Sequence, residues 1–288
     1  MFKIKTMQVC QTNQQVSDLV STWRLAGKSV AFVPTMGGLH QGHLSLVEQA
    51  KQQADNVIVS IFVNPTQFGE NEDFEQYPNT LKEDLKQLEA LQVAGVFTPD
   101  AQQMYPDGFS TNIKAGHLAE GLCGEKRPGY FDGVVQIVHR LFEIISPDIA
   151  IFGQKDYQQL LVIKQMVSEY SLPIKILSAD IVREADGLAM STRNQYLSAK
   201  ERTEAAHLYR ILVQLKQDVL SNKTVDSAIL NAEQSLAKHF KIDYLSVLDA
   251  NTLSATTDNT TKIAILCAVF LGSTRLIDNI IFHPKQTT

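Results

Sequence analysis

A short apolar run at residues 30–33, Val-Ala-Phe-Val, leads into Pro34-Thr35-Met36-Gly37-Gly38-Leu39-His40-Gln41-Gly42-His43. A helical pattern follows over 44–50. Proline ends a strand, and the glycines permit a tight turn. A fresh helix start then aims backbone N–H groups and the positive end of its dipole at that turn, which makes an anion site. The backbone N–H groups of this turn are expected to be free for a ligand. His40 and His43 stand three residues apart and share one face of a first helical turn. Two imidazoles over such a site suggest a phosphate chain, as in a nucleotide. A zinc site is an alternative, but it needs a third ligand, and the stretch offers no Cys, Asp or Glu before Glu48. An ordinary glycine turn with structural histidines is the plain alternative.

The same punctuation recurs along the chain. Strands are expected over 30–33, 57–63, 95–98, 149–152 and 174–182, with helices over 43–53, 80–91, 133–145 and 157–170. The run at 57–63 is continuous and largely β-branched, as in a strand buried on both faces. Alternation of this kind implies an α/β fold, a parallel sheet with helices on both faces. After about residue 182 the pattern changes. A loop over 183–196 precedes helices over 199–220 and 226–240. A strand pair over 244–248 and 263–271 follows, joined by a polar turn around Asp258-Asn259. This reads as a smaller α+β domain, so the division expected is 1–182 and 183–288.

The bulk numbers narrow the function. The 288 residues carry a net charge of −5 and no basic block, which argues against a nucleic-acid partner. Cys10, Cys123 and Cys267 are few, odd in number and far apart, as expected of reduced thiols in a cytoplasmic protein. The N-terminal stretch has no apolar signal segment, and the longest apolar run, 263–271, is too short to span a bilayer, so no membrane partner is expected.

Ligands of open parallel sheets sit beyond the carboxyl ends of the strands. Four such ends carry polar sets. The first is the 34–43 turn. The second is Asn64-Pro65-Thr66-Gln67-Phe68, whose amides suit a hydroxyl-bearing substrate or its carboxylate, with a plain Asn-Pro turn as the alternative. The third is Gly153-Gln154-Lys155-Asp156-Tyr157-Gln158-Gln159. There Lys155 suits a phosphate, Asp156 suits ribose hydroxyls, and either Gln158 or Gln159 faces a pocket; a solvated loop is the alternative. The fourth is the loop from Arg183 to Asn194, where Ser191, Thr192 and Arg193 supply two hydroxyls and a guanidinium. It reads either as a mobile flap or as a linker between domains.

These residues also carry a family resemblance. PTMGGLHQGH at 34–43, VSIFVNPTQF at 59–68, RPGYFDGV at 127–134, PDIAIFGQKDYQQL at 147–160 and VREADGLAMSTRNQYLS at 182–198 together resemble the pantoate–β-alanine ligases of the nucleotidyltransferase superfamily. The resemblance implies a Rossmann-like first domain that binds nucleotide and pantoate, and a smaller C-terminal domain acting as a lid. It implies an enzyme of pantothenate biosynthesis that condenses D-pantoate with β-alanine. ATP would be cleaved to AMP and pyrophosphate by way of pantoyl adenylate. It implies catalytic roles for His40, His43, Lys155, Ser191, Thr192 and Arg193. ATP would be bound by Thr35, Met36, Gly42, Gly153, Asp156 and Val182, and pantoate by Gln67, Gln159 and Asn64. Asp84 and Gln87 would lie near Mg²⁺, the ion that accompanies ATP as substrate. A cytoplasmic homodimer is implied as well. Four positions depart from the family's usual pattern. Gln154 stands where Glu is common, Tyr130 where His is common, Thr192 where Ser is usual and Asn79 where Arg is usual.

Two other functions compete: a nucleotidyltransferase acting on a different acid, and a non-catalytic nucleotide-binding module. A tRNA-charging version of the first is disfavoured by the −5 charge.

Overall fold

A computed structural model describes residues 7–69, 72–221 and 224–284. The chain divides into two compact units. One is Met1–Gln154 with Gln158–Asp180, the other Lys155–Tyr157 with Ile181–Thr288. The division falls two residues before the expected one, and it also assigns three residues of the third strand end to the C-terminal unit. Tyr157 Oη donates to the Ala250 carbonyl at 2.8 Å, and Asn279 Nδ2 donates to the Lys155 carbonyl at 2.9 Å. Those bonds tie 155–157 to the second unit.

The first unit contains β1 (Gln8–Cys10), α1 (Asn13–Leu25), β2 (Val30–Thr35), α2 (Gln41–Gln53), β3 (Asn56–Ile61), α3 (Leu81–Ala90), β4 (Gly95–Phe97), α4 (Ala101–Met104), α5 (Leu122–Lys126), α6 (Tyr130–Ile145), β5 (Ile149–Gly153), most of α7 (Tyr157–Glu169) and β6 (Lys175–Ala179). Six strands form one sheet in the order β1-β4-β3-β2-β5-β6, and every pairing is parallel. Val30, Ala31, Phe32 and Val33 are all fully buried, since helices cover both faces of β2. Ala31 and Val33 pack with Leu46, Val47, Val57 and Val59 on one face. Phe32 turns to the other and meets Phe142 of α6 edge-on at 6.2 Å. Burial of one such phenylalanine is worth roughly 2–3 kcal/mol. Strand order reverses between β2 and β5, which is where doubly wound sheets open a ligand crevice.

Sequence periodicity missed β1 and α1. β1 is three residues long with two of them exposed, and α1 buries only Val16, Leu19 and Val20. Its start is instead marked by a capping box, Thr12 with Gln15.

The second unit holds α8 (Ala199–Ala205), α9 (His207–Leu220), α10 (Val225–Leu236), β7 (Lys241–Asp249), β8 (Ile263–Leu271) and β9 (Thr274–Phe282). The strands form an antiparallel sheet in the order β7-β8-β9. The single helix expected over 199–220 is two, divided at Ala206. The expected strand pair is a trio. β9 escaped because Arg275, Asp278 and Asn279 interrupt its apolar pattern, and the last two are buried. Leu208, Leu212 and Leu215 of α9 pack with Ala228, Ala232 and Leu236 of α10 against Ile265, Cys267 and Val269 of β8.

Candidate active site

The turn after β2 is held from beneath. Gly37 and Gly38 have φ of 86° and 62°, a left-handed pair that glycine alone adopts without strain. Thr35 Oγ1 donates to the Ser60 carbonyl at 2.7 Å and accepts from the Gly37 N–H at 3.3 Å. Asp84 of α3, 1% exposed, accepts from the Gly38 N–H at 3.0 Å, the Leu39 N–H at 2.9 Å and Thr80 Oγ1 at 3.1 Å. Gln87 Nε2 reaches the Leu39 carbonyl at 3.5 Å. Both residues expected near Mg²⁺ therefore sit under the glycine turn as its supports. The expectation of free backbone N–H groups is corrected at Gly37, Gly38 and Leu39. Buried amides require partners, and Thr35 and Asp84 supply them.

The donors are side chains instead. His40 is the N-cap of α2. Its Nδ1 accepts from the Gly42 N–H at 3.1 Å, and His43 Nδ1 accepts from the His40 N–H at 3.4 Å. This is a capping box built from two imidazoles, with ring centroids 4.1 Å apart. An accepting Nδ1 puts the proton of a neutral imidazole on Nε2. Capping thus fixes the tautomer and makes Nε2 the donor in both rings. No third His, Cys, Asp or Glu ligand joins the pair among the described residues, which removes the zinc alternative there.

Beside the turn stand two glutamines. Gln67 lies on a short 3₁₀ turn, Pro65–Gln67, capped by Asn64. Gln67 Oε1 accepts from Asn64 Nδ2 at 3.1 Å, and its Nε2 points to Met36 Sδ at 3.0 Å. Asn64, 1% exposed, also donates to the Gly133 carbonyl at 3.2 Å, and its Oδ1 accepts from Tyr105 Oη at 2.6 Å. Both ends of its amide are taken. Asn64, expected among the pantoate contacts, holds the amide of Gln67. Gly133 lets α6 approach, since a Cβ there would lie 2.3 Å from the Thr66 carbonyl oxygen.

The choice between Gln158 and Gln159 is resolved by burial. Gln158 is buried, accepts from the Cys123 N–H and donates to three carbonyls, those of Leu118, Glu120 and Gly121. It is structural. Gln159 is half-buried, and its Oε1 accepts from Tyr130 Oη at 3.1 Å. The Arg127 guanidinium lies 3.6 Å from the Tyr130 ring centroid, pairs with Glu72 and donates to the Gln67 carbonyl at 3.3 Å. Arg127 and Tyr130 so link the two glutamines. Neither was among the expected site residues. Their signal was the RPGY segment, which periodicity does not read. In both glutamines a protein donor occupies the oxygen, which turns the amide NH₂ group toward an acceptor.

The other expected residues lie in the second unit, Gly153 excepted. Gly153 ends β5 and pairs with Ala179 in the first. Lys155 and Asp156 follow on a 3₁₀ turn. The loop after β6 is pinned. Met190 N–H donates to the Val182 carbonyl, Arg183 and Ala189 form a bridge, and Leu188 and Ala189 are buried. Arg183 makes two bonds to buried Asp278, at 2.7 and 2.9 Å. Burial pushes the Asp278 carboxyl above its ordinary value, and Arg183 opposes that shift. Asp186 pairs with Arg202 at 2.6 Å. These contacts tie the first part of the 183–194 loop to β9 and α8 of its own unit. Ser191 caps the 3₁₀ turn Thr192–Tyr196, its Oγ accepting from the Arg193 N–H at 3.3 Å. The hydroxyls and guanidinium of Ser191, Thr192 and Arg193 thus occupy one short capped turn. The three cysteines are buried, in accord with a structural role.

A doubly covered parallel sheet with a histidine-capped glycine turn after β2 defines a class, α/β proteins that handle a phosphate chain at a strand end. Comparison with known proteins narrows the class. The model of the family "Pantoate-beta-alanine ligase" matches residues 8–281. A pantothenate synthetase of Vesicomyosocius okutanii is 58% identical over 280 residues, covering 97% of this chain and 99% of that one. One of Shewanella loihica is 47% identical over 96% of this chain and 99% of its own. The crystal structure of a pantothenate synthetase from Thermus thermophilus superposes with a TM-score of 0.90 at 39% identity, over 95% of this chain and 99% of that one. The pantoate-β-alanine ligase of Francisella tularensis, solved with "Beta-gamma ATP" and β-alanine, gives 0.80 at 34% identity, over 96% and 97%. The chain belongs to the pantoate–β-alanine ligase family.

Proposed function

We infer that this chain is a pantoate–β-alanine ligase. It condenses D-pantoate with β-alanine, converting ATP to AMP and pyrophosphate, and releases pantothenate. The reaction has two halves. A pantoate carboxylate oxygen attacks the α-phosphorus of ATP, the new O–P bond forms, and pyrophosphate leaves with the old one. The β-alanine amine then attacks the acyl carbon of pantoyl adenylate. The C–N bond forms, the C–O bond to AMP breaks, and the ammonium proton is lost to solvent. Neither half needs a protein nucleophile. Both need positioning and charge neutralisation.

Roles follow from the chemistry of each residue. His40 and His43 donate from Nε2 to phosphate oxygens, with Thr35, Met36 and Gly42 shaping the nucleotide side of the turn. Lys155 neutralises the transferring phosphoryl group, with Ser191, Thr192 and Arg193 as further donors. Asp156 takes the ribose hydroxyls, beside Gly153 and Val182. Gln67 and Gln159 hold pantoate, and their amide polarity is the observation that carries this assignment. With each amide oxygen occupied by a protein donor, the amide N–H groups are left to meet the oxygens of a hydroxy acid. We assign Asp84 to support of the turn rather than to Mg²⁺, since its carboxylate accepts from the Gly38 and Leu39 N–H groups and Thr80 Oγ1. Mg²⁺ accordingly enters with ATP as substrate. We place the enzyme in the cytoplasm as a homodimer, with the second unit acting as a lid. Three buried free thiols support the first point and family resemblance the others. No helix among the described residues is long and apolar enough to cross a membrane.

The test is pyrophosphate release from MgATP with D-pantoate, with and without β-alanine. Release that requires pantoate, with pantothenate formed only after β-alanine is added, is the expected result. Release driven by a different acid would assign a different substrate, and ATP binding without release would return the chain to a binding module.

A further inference from the structure

We propose that Glu204, His207 and His239 form a binding site for one divalent ion of the zinc class in the helical layer of the second unit. The three come from separate places: the last turn of α8, the first residue of α9, and the turn between α10 and β7. Among the described residues they are the only set of three His, Cys, Asp or Glu side chains whose ligand atoms lie within 4.8 Å of one another. His239 Nδ1 lies 2.7 Å from Glu204 Oε2, and His207 Nδ1 lies 3.8 Å from the same oxygen. The rings are stacked, with centroids 3.9 Å apart and planes 13° from parallel.

The chemistry of the donor set selects the ion. Two imidazoles and one carboxylate suit Zn²⁺, Co²⁺ or Ni²⁺ and are a poor choice for Mg²⁺ or Ca²⁺. A His₂Glu set leaves a fourth position for water. The chain neighbours Ala205, Ala206, Leu236 and Phe240 are buried, while the three ligands are half-exposed. His239 and Glu204 now meet through a hydrogen bond, which an ion inserted between Nδ1 and Oε2 replaces. Stacked rings send their lone pairs out in parallel, so binding requires them to splay. That is a soft motion, because the torsion that turns an imidazole about Cβ–Cγ is broad. His207 gives up its 3.0 Å contact with the Glu204 carbonyl in doing so. Glu204 is held below its ordinary pKa first by its bond to His239 and then by the nearby charges of His239, His207 and Lys200, so it is ionised at neutral pH. The loaded site would clip the junction of α8 and α9 to the end of α10.

The test is equilibrium binding of Zn²⁺ alone, without nucleotide, by calorimetry and by competition with a chelating indicator, with Co²⁺ absorption as a readout of coordination. We expect one equivalent bound at micromolar affinity or tighter. The affinity should fall more than about tenfold in His239→Gln and in His207→Ala, and also in Glu204→Gln, with folding checked by circular dichroism. Bound Zn²⁺ should raise the melting temperature of the parent chain but not of the variants. His283→Ala controls for surface imidazole, and His43→Ala controls for the other histidine pair. No binding tighter than about 100 µM, or binding lost in His43→Ala but kept in His239→Gln, overturns the proposal.

Discussion

The chain holds two imidazole pairs with nearly the same spacing, and they were made in different ways. His40 and His43 have centroids 4.1 Å apart, and His207 and His239 have centroids 3.9 Å apart. The first pair is closed by four residues of chain, each ring capping the start of one helix. The second is assembled from positions on either side of α9 and α10. The first pair's Nδ1 atoms are committed to backbone N–H groups, which fixes its tautomer and leaves Nε2 as the donor of each ring. The second pair faces a carboxylate, which makes it a place for a cation. Equal ring spacing therefore says little about role; what each ring's other nitrogen binds decides it.

This contrast can be broken or sharpened by experiment. Lys155→Ala sets the scale, with the largest effect. A charge acting on the transition state should cost about 10³-fold in kcat while the KM for ATP changes little. Equal losses in both would assign Lys155 to ground-state binding. Asp84→Ala comes next. It removes the acceptor of the buried Leu39 N–H and one from Gly38, a cost of about 2–3 kcal/mol by urea denaturation. A stable variant would show that the histidine turn holds itself. His43→Ala should lower kcat for pantoate-dependent pyrophosphate release by about 10²-fold, as loss of one positioned donor does. His207→Ala should leave that rate within about twofold. If both variants lose activity alike, the division between the two pairs collapses.

A smaller effect is expected of Tyr130→Phe. It frees the Gln159 amide to turn, so the KM for pantoate should rise about fivefold, close to one hydrogen bond, with folding unchanged. An unchanged KM would mean that Gln159 is oriented by other contacts. Smallest is the pH effect at Glu204. Its carboxyl is held low by His239, so the contact adds stability above the ordinary carboxylate range and loses it as pH falls through the lowered value. Glu204→Gln should narrow the gap in urea midpoint between pH 7 and pH 3. A gap identical to that of the parent would falsify the stabilising contact.

Much of this was legible in the chain. The run at 30–33, the glycines and the two histidines specify a strand, a turn and a capped helix within fourteen residues or so, because each signal acts on its neighbours. The alternation of apolar runs with helical patterns gave the parallel sheet for a related reason, since both faces of its strands are buried. Less was legible where polar residues are buried. Asp84 was placed near Mg²⁺ by the family resemblance alone, and nothing local in the sequence shows its hydrogen-bond partners. Its true partners, Gly38 and Leu39, lie 46 and 45 residues away. β9 was overlooked because Asp278 and Asn279 look unlike a core, and Arg183, 95 residues from Asp278, makes that core possible.

The sequence by itself determined the strand–helix alternation over 30–182, the glycine turn that leads into a helix, and the family. Tertiary structure decided which glutamine is structural and which presents its amide, and which carboxylate supports the turn. It also brought Glu204, His207 and His239 together. The reason is the reach of the interactions. Caps and periodic faces close within a few residues and are written locally. The bond from Tyr130 to Gln159 spans 29 residues and that from His239 to Glu204 spans 35, so both wait on strand register and helix packing to exist at all.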